Sequence, residues 1–145
     1  MSIFFKGKKV EAVLFSPLEG KMTYQGKPAA GATIKLWIAW KDKDGETELY
    51  YTDDQGNFSI PKKTVVYKDN PLAQLSVGQE VTVEYQGKET LIWSAGKSSS
   101  HLFGELGGQP VGLTCELANE EMTAYLDHAL VKTLCKWQHL KTLED

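Results

Sequence analysis

The strongest constraint on this chain is a run of alternating apolar residues that leads into an Asp-Gly turn. One face of the run is apolar at every second position: Ala32, Ile34, Leu36, Ile38 and Trp40. A period of two is typical of a β-strand with one buried face. Asp44-Gly45 follows closely, and this pair supplies the positive φ angles of a tight hairpin. The pattern therefore predicts a half-buried strand that returns antiparallel over residues 47–52.

Turn-forming residues divide the rest of the first 118 residues into further short strands. Residues 25–31 are rich in Gly and Pro, and Asp53 to Asn57 has the composition of an Asx-turn. We expect additional strands at 10–16, 22–24, 58–60, 81–85, 89–95 and 111–117, with residues 62–79 as a loop that crosses between two sheets. The predicted core comprises Ile34, Leu36, Ile38, Phe58, Ile60, Val81, Val83 and Tyr85.

The apolar period changes near the C-terminus. Asn119 has the properties of a helix N-cap, and Glu120 and Glu121 follow it at the positive end of a helix dipole. The apolar positions then fit one helical stripe: Met122, Leu126, Ala129, Leu130, Thr133, Trp137 and Leu140. This spacing predicts an amphipathic helix over residues 119–142, packed on the outer sheet face that carries Trp37 and Ala39.

Two motifs suggest a family resemblance. Gly-Lys-Pro-Ala-Ala-Gly-Ala-Thr-Ile at residues 26–34 is followed by Thr-Asp-Asp-Gln-Gly-Asn-Phe at residues 52–58. These motifs resemble transthyretin-like, carboxypeptidase-regulatory-like (prealbumin-like) domains, and residues 81–88 are similar to the penultimate strand of that family. The resemblance implies a seven-stranded antiparallel, Ig-like β-sandwich. We therefore expect a mainly β single domain over residues 1–145, with the sandwich at 10–118 and the helix packed on it.

Composition and the N-terminus favour a cytoplasmic protein that does not bind nucleic acid. The net charge is -3 and all 16 basic residues are Lys, so no basic patch suited to phosphate backbones is expected. Residues 3–5 form too short an apolar run for a secretory signal. In a reducing compartment Cys115 and Cys135 would be free thiols. The alternative is one disulfide that joins the last strand to the C-terminal helix.

No pattern in the sequence predicts catalytic, cofactor-binding or metal-binding residues. Gly96-Lys97-Ser98 matches the last three residues of a phosphate-binding loop, but position 91, where the motif requires its first Gly, is Leu91. On the predicted helix His128, Cys135 and His139 share one face, and Cys135 and His139 have a spacing that zinc can use. A complete site would need Cys115, an acidic side chain or a partner's ligand on the same face. The enzyme relative in this fold, of the hydroxyisourate hydrolase type, would require an N-terminal His, an Arg and a terminal Tyr-Arg-Gly-Ser, none of which this chain has.

The sequence therefore favours a non-catalytic protein-binding module. Because some transthyretin-like domains extend the spikes of bacterial type VI secretion systems, the resemblance implies a toxin-neutralising, immunity-type protein or a cargo adaptor, monomeric or weakly self-associating. The polar face of the predicted helix is the candidate partner-binding surface: His128, Val131, Lys132, Cys135 and His139. The alternative is a carbohydrate-binding module that stacks sugars on exposed aromatics: Trp37, Trp40, Trp93 and Tyr50 or Tyr51.

Overall fold

The regular secondary structure of the described residues is almost all β-strand. A computed structural model describes residues 9–40, 44–68, 76–126, 129–138 and 140. The elements are β1 (Lys9–Phe15), β2 (Leu18–Tyr24), β3 (Lys27–Pro28), β4 (Thr33–Ala39), β5 (Glu46–Tyr51), β6 (Asn57–Ile60), β7 (Lys63–Lys68), β8 (Val77–Tyr85), β9 (Lys88–Lys97), a 3-10 helix (Gly104–Leu106), β10 (Thr114–Glu116), β11 (Met122–Leu126), β12 (Ala129–Thr133) and β13 (Cys135–Lys136). Within these residues, no helix has the length and apolar character needed to cross a membrane.

The strands form three sheets. The largest is antiparallel with the order β11-β12-β9-β8-β4-β5. A second sheet has the order β13-β10-β2-β3, and β6 also pairs with β2. Strands β1 and β7 form a separate antiparallel pair. The class is therefore mainly β, with thirteen strands in the described residues where the resemblance implied seven.

The two larger sheets share one hydrophobic core. Met22 and Phe58 from the second sheet belong to the same buried cluster as Ile34 and Val81 from the largest sheet, so the apolar faces of the two sheets pack together. The predicted core is confirmed: six of its eight members are buried, and Ile38 and Tyr85 are partly buried against them. The alternation in β4 correctly identified the inward face.

The predicted C-terminal helix is wrong. Residues 122–126 and 129–133 are instead the antiparallel strands β11 and β12, and β12 pairs with β9 in the largest sheet. Within β12 the buried residues alternate with exposed ones in the order Ala129, Leu130, Val131, Lys132 and Thr133, which is the strand period. The apolar spacing in this segment fits both periods, and pairing with β9 selects the strand.

The expected crossing loop at residues 62–79 is also mostly wrong. Lys63–Lys68 is strand β7, which pairs with β1, and strand β8 already begins at Val77. Residues 69–75 lie outside the described residues. The expected last strand at 111–117 is shorter, at Thr114–Glu116, and further strands follow it.

A disulfide lies within the second sheet, which corrects the prediction of two reduced thiols. Cys115 on β10 is bonded to Cys135 on β13, and both side chains are fully buried. The two residues are direct partners in the antiparallel pairing of these strands. Because β13 follows β12 of the largest sheet almost directly, the bond secures the second sheet at the point where the chain enters it from the largest sheet.

A buried ion pair joins β9 to the 3-10 helix and holds β1 through a further hydrogen bond. The Nζ of Lys97 lies 3.3 Å from an Oε1 of Glu105, and both side chains are at most 1% exposed. Lys97 also donates to the backbone carbonyls of Val13 and His101, each at 2.8 Å. Burial of these charges is tolerated because the ammonium group has oxygen partners in place of water.

The carboxylate of this ion pair is equally well partnered. Glu105 accepts hydrogen bonds from the backbone N–H of Ser16 at 3.0 Å, from its hydroxyl at 2.6 Å, and from the side-chain amide of Gln79 at 2.8 Å. Gln79 in turn accepts from the Trp93 indole and donates to the Leu14 carbonyl. Among the described residues, no buried side-chain N or O lacks a hydrogen-bond partner.

A second carboxylate holds the β2–β3 turn. Glu116 accepts hydrogen bonds from the backbone N–H groups of Gln25, Gly26 and Ala118 at 3.0, 2.7 and 2.7 Å. Burial by itself raises the pKa of Glu116, but the three N–H groups, together with the Thr23 hydroxyl, outweigh burial and lower it below its usual value. The turn is therefore held by an ionised side chain that is distant in sequence.

We expect Lys97→Met and Glu105→Gln to be strongly coupled. Lys97→Met alone should lower the free energy of unfolding by about 3 to 5 kcal/mol, because it leaves a buried carboxylate without its cation. The double variant should lose clearly less than the sum of the single losses, since no uncompensated charge remains. Urea unfolding of the four proteins measures the coupling. Additive losses would show that the ion pair carries no interaction energy of its own.

We also expect the disulfide to stabilise the fold. The bonded cysteines are 20 residues apart, and a loop of this size predicts a loss of about 3 kcal/mol for Cys115→Ala with Cys135→Ala. Chemical unfolding with and without reductant provides the measurement. Reductant should destabilise the wild-type protein and leave the double variant unchanged. Two free thiols in the native, unreduced protein would contradict this prediction.

Candidate functional site

An open groove lies between the β4–β5 hairpin and the β1–β7 pair. Its volume is about 500 Å³, which is within the range of sites that bind small ligands or side chains. The lining residues are Leu14, Leu36, Ile38, Ala39, Trp40, Gly45, Glu46, Glu48, Lys63, Thr64 and Val65. A second cavity of about 180 Å³ beside Tyr24 and Tyr85 is smaller than typical ligand pockets, so the groove is the candidate site.

Strand register gives the groove an apolar floor and a charged rim. Leu36 pairs with Glu48 and Ile38 pairs with Glu46. Because paired residues of neighbouring strands point to the same face, both carboxylates lie on the inward face of the sheet, at its edge. On the opposite side Lys63 begins strand β7. Counting these three charged side chains, the rim has one net negative charge.

The rim contains a cluster of three polar side chains. The Nζ of Lys63 forms an ion pair with Glu48, and the Tyr50 hydroxyl donates a hydrogen bond to the same carboxylate. Lys63 also lies over the Tyr50 ring, 5.6 Å from its centroid, at a distance suited to a cation–π contact. The cluster joins β5 to β7 across the groove.

The ionisation of this cluster follows from its contacts. The hydrogen bond and charge of Lys63, together with the Tyr50 hydroxyl, lower the pKa of Glu48. Glu48 and Tyr50 raise the pKa of Lys63. Burial and the hydrogen bond to Glu48 raise the pKa of Tyr50. At neutral pH the cluster therefore holds a carboxylate, an ammonium group and a neutral phenol.

The arrangement is suited to recognition. A paired carboxylate and a neutral phenol are weak bases, and none of the described residues that line the groove is a His or a Cys. In the part of the chain that the structure describes, no group of three or more His, Cys, Asp or Glu residues is placed to hold a metal ion. An apolar floor beside Glu46 is complementary to an apolar side chain that has a positive charge next to it.

Of the five predicted partner-binding residues, the three that the structure describes do not form a common exposed face. Val131 is fully buried in the core and Cys135 is buried in the disulfide, whereas Lys132 is exposed on the opposite face of β12. His128 and His139 lie outside the described residues. The helix face that would have united these residues is absent because β12 is a strand.

The aromatic residues of the alternative site are also dispersed. Trp93 is 1% exposed and donates its indole N–H to Gln79. Trp40 lines the groove, and Tyr50 belongs to the rim cluster. Tyr51 is 62% exposed and points to the opposite side of β5 from Tyr50. Trp93 therefore offers no surface for stacking a sugar.

Sequence reasoning missed the ion pairs that organise the site. The sequence pattern around Lys97 resembles the end of a phosphate-binding loop, yet the Lys97 side chain is buried against Glu105. The sequence predicts a loop at Lys63, yet Lys63 lies on β7 and pairs with Glu48. The first pair joins β9 to the 3-10 helix and the second joins β7 to β5, and no local pattern in the sequence identifies such partners.

We expect Lys63→Met to raise the pKa of Glu48 toward the usual glutamate value, because the largest cause of the lowered pKa is removed. A lowered pKa in the folded state stabilises the protein above the unfolded-state pKa, and this stability is lost as pH falls through the folded-state pKa. NMR titration of the Glu48 carboxyl measures the shift. Lys27→Met, on an exposed residue of β3, is the control. An unchanged Glu48 pKa in Lys63→Met would disprove the assigned pairing.

Comparison with known proteins identifies the family. Neither the curated proteins nor the solved structures include a match to the chain. Residues 18–120 match the family model described as "Domain of unknown function (DUF6795)". This range contains the rim residues Glu46, Glu48 and Lys63, and it ends before strand β11. Since the match covers more than half of the sequence, the chain belongs to the DUF6795 family.

Proposed function

We propose that this protein is a non-catalytic protein-binding module whose partner occupies the groove between the β4–β5 hairpin and β7. The observation that supports the proposal is an open groove of about 500 Å³ with an apolar floor and charged residues at its rim. Protein interfaces commonly have this anatomy, in which a desolvated apolar centre is surrounded by polar groups.

The rim favours a partner with a basic residue beside its apolar contact. Glu48 is already paired with Lys63, so Glu46 supplies the net negative charge of the rim. Charges at the edge of an interface act mainly on the association rate and on specificity. The chain as a whole has a net charge of -3, which adds to the attraction of a basic partner.

A finer role is that of a toxin-neutralising protein or a cargo adaptor of a bacterial secretion system such as type VI. This role rests on the resemblance of residues 26–34 and 52–58 to transthyretin-like domains. A cytoplasmic location is the corresponding expectation from the sequence. The Cys115–Cys135 disulfide weighs against that location, because disulfides persist mainly in oxidising compartments.

We expect Glu46→Lys to weaken partner binding by at least about tenfold, which corresponds to about 1.4 kcal/mol. A partner is captured from an extract of the source organism on the immobilised wild-type chain, identified by mass spectrometry and purified, and its affinity for each variant is then measured by calorimetry. Glu84→Lys makes the same charge change at an exposed position on β8, and its affinity should match that of the wild-type protein.

Two results would contradict the proposal. If Glu46→Lys binds the partner as tightly as the wild-type protein does, and unfolds at the same temperature, the interface lies elsewhere. Turnover of hydroxyisourate or of an ester, abolished by a single substitution, would show that the protein is an enzyme.

A further inference from the structure

Strand β5 is an edge of the largest sheet. It pairs with β4 through residues 46–51, and on its other side no described strand pairs with it. It contains no proline and no bulge interrupts its register with β4. Of the devices that protect edge strands, it carries inward-facing charges, those of Glu46 and Glu48. The edge is therefore a template for a further strand that neutralises these charges.

The direction of the backbone groups of β5 follows from one hydrogen bond. The N–H of Thr52 donates to the carbonyl of Ala32 at 3.1 Å, and these residues continue the register of the β4–β5 pair. In an antiparallel pair, hydrogen-bonded positions alternate with positions whose N–H and C=O point outward. Glu48 and Tyr50 therefore bond to β4, whereas the backbone groups of the residues between and beside them face away from it.

The outward-facing positions are Thr47, Leu49 and Tyr51. None of their N–H or C=O groups bonds to another described backbone group outside the sheet ladders. Their side chains are exposed as well, with Leu49 at 51% and Tyr51 at 62%. This edge thus combines six backbone groups in strand geometry with two large apolar side chains.

The side chains of β5 specify the kind of segment that fits. A strand added at this edge would place alternate side chains on the two faces of the sheet. On one face they would lie beside Glu46 and Glu48 at the rim of the groove, and on the other beside Leu49 and Tyr51. Opposite charges and apolar pairs across neighbouring strands are stabilising.

We propose that the β5 edge binds an extended segment of a partner protein that alternates basic with apolar residues, by addition of a strand to the sheet. This inference rests on the proposed protein-binding function and names the chemistry of the partner. A second copy of the chain fits less well, because its own Glu46 and Glu48 would join the same face. Four carboxylates would then face two copies of Lys63, whereas a basic segment neutralises the rim.

Hydrogen exchange of the free, full-length protein tests the edge itself. The amides of Thr47, Leu49 and Tyr51 should exchange at least about tenfold faster than those of Glu48 and Tyr50, which bond to β4. The experiment is performed by NMR at a concentration where the protein is monomeric. Equal protection of the Leu49 and Glu48 amides would show that the edge is already covered, and would overturn the proposal.

Binding of a synthetic peptide tests the partner chemistry. The probe is a capped octapeptide of alternating Lys and Val, and the control peptide has Glu in place of Lys. The Lys-Val peptide should shift the amide signals of Thr47, Leu49 and Tyr51 and slow their exchange. Binding of the Glu-Val peptide with equal affinity, or no binding of the Lys-Val peptide, would overturn the proposal.

Leu49→Pro separates backbone pairing from side-chain contacts. It removes an N–H that points away from β4, at a position where an edge strand tolerates proline, and thermal unfolding confirms the fold. We expect Leu49→Pro to weaken Lys-Val peptide binding at least about tenfold and Leu49→Ala, which keeps the N–H, to weaken it less than about threefold. Equal binding by Leu49→Pro and Leu49→Ala would overturn strand addition.

Further outcomes distinguish this inference from the proposed function. If the captured partner binds Leu49→Pro normally but does not bind Glu46→Lys, the protein-binding function stands and strand addition at β5 is wrong. If the Lys-Val peptide binds as expected while no partner depends on Glu46, the β5 edge is supported and the groove interface is wrong. Dimerisation of the free chain that Leu49→Pro abolishes would assign the edge to a second copy and overturn the proposal.

Discussion

The ion pair between Lys97 and Glu105 is the interaction on which the arrangement of the sheets depends. Both side chains are excluded from solvent, and such charges remain stable only where every donor and acceptor has a partner. The partners here are backbone and side-chain groups of β1, of Ser16 directly after it, of β8 and of the segment that follows β9. Satisfying the two charges therefore fixes the position of β1 against the largest sheet.

The groove is a consequence of that position. Strand β1 pairs with β7, so the placement of β1 also determines where β7 lies relative to β5. At the start of β7, Lys63 reaches Glu48 and the Tyr50 ring. Two ion pairs, one buried and one at the rim, thus fix the positions of the strands on the two sides of the groove. The same geometry leaves the outer edge of β5 without a described neighbouring strand.

Local patterns were reliable where one strand face or one turn explains the residues. The alternation from Ala32 to Trp40 predicted the inward face of β4, and the expected Asx-turn is present, since the Asp53 carboxylate accepts hydrogen bonds from the N–H groups of Gln55 and Asn57. The same reasoning failed for residues 119–142. There the apolar residues fit a helical stripe, but residues 129–133 instead pair with the edge of β9 as a strand. The Trp137 ring packs against the Trp93 ring, with 6.1 Å between the ring centroids.

The amino-acid sequence by itself determined the β class, the strand of residues 32–40, most of the core and the turns rich in Gly, Asp and Asn, because each depends on the preferences of neighbouring residues. Only the tertiary structure decided that the C-terminal segment forms strands, and only it established the Cys115–Cys135 pairing, the two ion pairs and the groove. Lys97 and Glu105 are eight residues apart, yet their remaining partners include Val13, Ser16 and Gln79. Long-range pairing of strands brings such groups together, and patterns among neighbouring residues do not predict that pairing.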